Sequence, residues 1–139
     1  MTDPAFAEDA VRAGRMVELT VPADPAYISV LRTVTASLAA RRDFTIEEID
    51  DLRIAVDEAS ALLLPNASQD SALTATFGGE SDWLSIEVSV PTVHLTAVQI
   101  DQTSFAWMVL SALTDTVGEK LSDDRLSVTL TKARGARGR

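Results

Sequence analysis

Two adjacent carboxylates, Asp57 and Glu58, stand in the segment TIEEIDDLRIAVDEASALLL, residues 45–64, and are the first candidates for acid–base work. A carboxylate such as Glu58 could act as a general base on a water or a hydroxyl. An exposed helical glutamate is the commoner role for that residue type. The pair cannot share a proton, because neighbours on a helix point about 100° apart. Asp50, Arg53 and Asp57 fall on one side at i, i+3 and i+7, and Glu58 falls on another with Leu62 at i+4. His94 is the single histidine, which excludes a multi-His metal site; in its irregular surroundings it reads as a surface residue rather than a base. Cysteine is absent, so thiol nucleophiles, disulfides and Cys-ligated zinc are excluded. No G-x-S-x-G, G-x-x-x-x-G-K-[ST] or G-x-G-x-x-G occurs, which removes the usual hydrolase, P-loop and Rossmann readings. None of the six glycines lies between Glu80 and Val117, although a loop that brings its backbone up to phosphates wants glycine there.

Arg32 differs in kind. It stands on a stretch otherwise apolar or small as far as Leu38, with no acidic residue at i±3 or i±4 to pair with. An arginine flanked by small residues can anchor an interface; a solvated surface arginine fits the same pattern. Phe105 and Trp107 could anchor a partner, but at helical spacing a core role is preferred.

The elements that must position these groups follow from periodicity. Apolar Ile49, Leu52, Val56, Ala59 and Leu63 mark a helix over 45–64. Thr45 and Glu48 make a capping box at its start, and Pro65-Asn66 stop it. An earlier helix spans Tyr27 to Arg41 with Ile28, Leu31, Val34 and Leu38 as its buried stripe. Met16–Val21, Ala72–Phe77, Trp83–Val90 and Leu126–Leu130 alternate as strands, with a hairpin turn at Gly78–Asp82. A third helix is predicted over Ser104–Val117, with Phe105, Val109, Ala112 and Leu113 on one side and Trp107 nearby. A polar turn should follow over Gly118–Arg125. The order β-α-α-β-β-α-β predicts an α+β two-layer sandwich, a mostly antiparallel sheet covered on one face by helices.

The totals bound the function. A chain of 139 residues, 46% apolar and 24% charged, makes one folded domain. Residues 1–15 read as a disordered arm, 16–132 as the domain, and 133–139 as a disordered basic tail. A net charge of −9 argues against nucleic-acid binding and suits either solubility or a partner with a basic surface. Neither a membrane span nor a signal peptide is read, so the expected place is the cytoplasm.

The stretch LRTVTASLAARRDFTIEEIDDLRIAVDEA, and later SFAWMVLSAL, resemble the RsbW-like anti-sigma factors, the partner-switching serine kinases of the GHKL (Bergerat-fold) superfamily. The resemblance spans residues 16–132. It implies a cytoplasmic homodimer that sequesters an alternative sigma factor, with a small STAS-type anti-anti-sigma protein competing for the same surface. Kinase-active members use ATP and Mg²⁺ to phosphorylate that competitor. By position, Arg32 matches an arginine that contacts both partners, with Leu31 and Thr35 beside it in the expected patch, and Glu58 matches the glutamate of the N box. The chain departs from the pattern in three places. Leu62 stands where the N-box Asn would help hold Mg²⁺ and has no oxygen for a hard cation. PTVHLTAVQ replaces the adenine-binding Asp-x-Gly-x-Gly, and the glycine-rich lid is missing. The expectation is therefore sigma binding by occupancy, with neither a confident cofactor nor a metal site; the alternative is an active serine kinase using Glu58.

Overall fold

The computed structural model describes residues 16–93 and 100–135. Five strands form one antiparallel sheet in the order β1-β2-β3-β5-β4, with three helices: β1 Val17–Pro22, α1 Ile28–Arg41, α2 Ile46–Leu63, β2 Ala72–Glu80, β3 Trp83–Pro91, α3 Phe105–Leu113, β4 Thr116–Ser122 and β5 Arg125–Ala133. This is an α+β sandwich consistent with a GHKL-like fold.

Local chemistry sets the helix starts. The Thr45 hydroxyl accepts from the Glu48 N–H at 3.1 Å, and the Glu48 carboxylate accepts from the Thr45 N–H at 2.7 Å, which completes the capping box of α2. Asp24 caps a 3₁₀ turn, Pro25–Tyr27, that leads into α1. After α2 the chain tightens into a second 3₁₀ turn, Leu64–Asn66, that contains Pro65.

The sheet's inner face is apolar at every second residue. Leu73, Ala75 and Phe77 of β2, Leu84, Ile86, Val88 and Val90 of β3, and Leu126, Val128 and Leu130 of β5 are all buried. In register, Phe77 pairs with Ile86 and Ile86 with Leu130, so each core layer runs across the sheet. Leu52, Ala55, Val56, Ala59 and Leu63 of α2 close the core from above. Each fully buried aliphatic side chain contributes roughly 1.5–3 kcal/mol. At the β2–β3 hairpin only glycine serves at position 79: its φ is +112°, and a Cβ there would lie 2.4 Å from the Trp83 carbonyl oxygen.

Four expectations are corrected. The inward side of α1 is Ile28, Leu31, Thr35 and Ala39, while Val34 and Leu38 flank the core only partly buried. Thr35 tolerates burial because its hydroxyl donates to the Leu31 carbonyl at 2.8 Å. On α3 the buried residues are Trp107 and Leu110, whereas Phe105 is 76% and Met108 61% exposed. That helix ends at Leu113, and Thr116–Ser122, expected as the end of the helix and a turn, is edge strand β4 paired along β5. An edge strand of this kind needs only backbone partners, and its side chains are almost all exposed, so it shows no alternation.

The C-terminal boundary also moves. Strand β5 continues to Ala133, the Arg134 N–H donates to the Asp82 carbonyl at 2.7 Å, and the Gly135 N–H donates to the Glu48 carboxylate at 2.6 Å. Residues 133–135 are thus part of the packed domain. The arm expected at 1–15, the remaining tail 136–139 and His94 lie outside the described residues.

Candidate functional site

Helices α1 and α2 pack side by side, and the start of the first meets the end of the second. Ile28 and Arg32 share one side of α1 at i, i+4; Asp57, Ser60, Ala61 and Leu64 share one side of α2 and its terminal turn. Small residues at 60 and 61 leave a groove of about 580 Å³ between them, closed at one end by Ala23, Pro25 and Pro65. Its wall is mostly apolar, and its charged members are Arg32 and Asp57.

These two pair with one another. Arg32 Nε lies 2.9 Å from Asp57 Oδ1, with the side chains 38% and 40% exposed. Both atoms are shielded from solvent and neither has a hydrogen-bond partner, so the contact is an ion pair rather than an aligned hydrogen bond. Arg32 Nη1 and Nη2 make no hydrogen bond among the described residues. Burial pushes the Asp57 carboxyl above its ordinary value, against the pull of the Arg32 charge and of Arg53. Desolvation outweighs attraction here, so the pair adds little to stability.

The structure treats the other candidates differently. Leu31 and Thr35 are fully buried on the inward side of α1. Of the three residues expected in a partner-binding patch, Arg32 alone reaches the surface. Glu58 is half-buried on α2, outside the lining of the groove, and makes no hydrogen bond or ion pair among the described residues. Asp57 was legible only as half of an acidic pair; its partner stands on another helix.

Comparison with known proteins gives the kinship. A Mycobacterium tuberculosis protein named anti-sigma-F factor RsbW is 32% identical over 136 residues, which cover 92% of this chain and 79% of that protein. The chain belongs to the RsbW family. The serine-protein kinases RsbW of Bacillus subtilis and Bacillus velezensis are 33% and 32% identical over 76 residues, 52% of this chain and 48% of each relative. No family model matches the chain.

Membership of the RsbW family raises the question of whether these residues fit ATP and Mg²⁺. At the N-box position Leu62 is half-buried and packed against the core, offering carbon where a hard cation needs oxygen. One turn on, the Asn66 amide donates from Nδ2 to the Leu62 carbonyl at 3.2 Å, capping the end of the helix. Among the described residues no group of three His, Asp or Glu could hold a metal. The described residues do not fit the Mg²⁺-bound nucleotide. Of the segment PTVHLTAVQ, Pro91 ends β3, Thr92 is buried with its N–H donating to the Asp124 carbonyl at 2.7 Å, and residues 94–99 lie outside the described set. No described helix is long and apolar enough to cross a membrane.

Proposed function

We propose that this chain is an anti-sigma factor acting by occupancy. It holds an alternative sigma factor away from RNA polymerase and yields it to a STAS-type anti-anti-sigma protein that competes for the same face. It works in the cytoplasm as a homodimer. Kinship over nearly the whole chain with a protein named anti-sigma-F factor supports this reading. The single observation that carries the site is Arg32: a surface cation at an apolar groove, flanked by small residues, in a chain of net charge −9. An acidic side chain on the sigma factor would meet that guanidinium, and apolar neighbours would fill the groove beside it. Phosphoryl transfer is not part of the proposal, because Leu62 supplies no ligand for the metal that such chemistry uses.

The test starts with the tagged chain recovered from its native cell and mass spectrometry of what accompanies it. The sigma factor found is purified, and its affinity is measured by calorimetry for wild type and Arg32→Ala. The substitution should weaken the complex by on the order of 2 kcal/mol, and a purified anti-anti-sigma protein should displace the sigma factor without ATP. Recovery without any sigma factor, or displacement that requires ATP and a Glu58-dependent phosphate label, would overturn the reading.

A further inference from the structure

The Arg32–Asp57 pair is asymmetric. The contact with the carboxylate is made through Nε, at 2.9 Å, and neither Nη group makes a hydrogen bond among the described residues. An arginine offers a carboxylate two edges, the Nε/Nη side or the Nη1/Nη2 end, and here the first is occupied. A free arginine side chain at a surface is rotamer-rich and must be ordered when it binds. Asp57 has done that ordering in advance, from a helix whose backbone is fixed by the core residues Val56 and Ala59 on either side.

We infer that Asp57 is a positioning residue: it holds Arg32 so that the partner's carboxylate is received end-on by Nη1 and Nη2, at the mouth of the groove between α1 and α2. This rests on the reading of Arg32 as the partner's anchor. It specifies the partner's chemistry further: a single carboxylate approaching along the guanidinium axis, next to an apolar side chain that reaches the wall formed by Ile28, Leu64 and Pro65. A competing role for Asp57, in which it must release Arg32 before a partner binds, would need the incoming carboxylate to use Nε. The unoccupied Nη edge removes that need. The Asp57 charge adds little to the fold, because burial works against it.

Two measurements on the full chain test this. In the partner-free protein, the ¹⁵N–¹H signal of Arg32 Nε should exchange slowly with water, and Asp57→Ala should shift it and speed its exchange. The second measurement is affinity for the purified sigma factor recovered as above. Asp57→Ala should weaken binding about tenfold, Asp57→Glu should restore most of it because a carboxylate still pairs with the guanidinium, and Asp57→Ala should add nothing in an Arg32→Ala background. A merely structural role would not give the Glu rescue or vanish with Arg32. An Arg32 Nε signal unchanged by Asp57→Ala, or an affinity equal to or tighter than wild type, overturns the inference. Loss with Arg32→Ala and none with Asp57→Ala overturns positioning alone, whereas no loss with Arg32→Ala overturns the site itself.

Discussion

Leu31 and Arg32 are neighbours in sequence that point about 100° apart on α1, one into the core and one to the surface, and truncating each should separate stability from binding. Leu31 is fully buried among the core residues of α1, α2 and the sheet. Leu31→Ala removes its buried aliphatic atoms and leaves a cavity, which costs about 3 kcal/mol within a usual span of roughly 2.7–5. Set against a total of about 5–15 kcal/mol for a domain, that is a large fraction. With a urea slope near ~2 kcal/mol/M, the midpoint should fall by ~1.5 M. Arg32 loses one contact whose partners are about two-fifths exposed and whose desolvation opposes it. Its truncation should cost no more than about 0.5 kcal/mol and move the midpoint by less than ~0.3 M. Affinity for the sigma factor should behave in reverse. Leu31→Ala, measured where the chain is still folded, should stay within about threefold of wild type, and Arg32→Ala should lose about thirtyfold. Urea melts followed by tryptophan fluorescence and calorimetry decide between the two. A folded Leu31→Ala chain that binds as poorly as Arg32→Ala, or an Arg32→Ala chain that melts with Leu31→Ala, would refute the assignment of inward and outward faces.

Further outcomes follow from the same geometry. The Asp57 carboxyl should titrate above its ordinary value of 3.8 when followed by carbon NMR, and Arg32→Ala should raise it further by removing an attractive charge. Because the folded value is raised, the stability that the protonated group contributes is fully present below 3.8 and is lost as pH rises through the higher folded value. Asp57→Asn should flatten stability across that window and be no less stable than wild type above it. Arg42 donates from Nε to the Glu80 carbonyl at 2.9 Å, with longer bonds to the carbonyls of Leu38 and Gly78, tying the end of α1 to the β2–β3 hairpin. Arg42→Ala should cost about 1–3 kcal/mol and speed hydrogen exchange in that hairpin ahead of the rest of the sheet. Thr45→Ala removes the cap of α2 and should cost about 1 kcal/mol by urea melt, with the exchange gain confined to the first turn.

The sequence by itself determined what depends on near neighbours. The bounds of α2 were readable because Thr45, Glu48 and Pro65 act within one turn, and β3 because strict alternation admits one face only. The loss of the N-box Asn was equally plain at Leu62, since side-chain chemistry does not change with folding. Kinship with the RsbW family was carried by the same segment. Residues whose role depends on a second element were not readable. The inward face of α1 is set by how that helix rolls against α2, which turned Thr35 and Ala39 in and left Val34 and Leu38 at the margin. Phe105 went outside because Trp107 and Leu110 fill the space beneath α3, and β4 exists because β5 offers it a backbone edge. The Arg32–Asp57 pair joins two helices whose packing brings the atoms to 2.9 Å. No spacing rule connects them. Each residue's type was written in the chain, but their meeting came from the core, which bought no binding of its own and placed one guanidinium against one carboxylate at the edge of a groove.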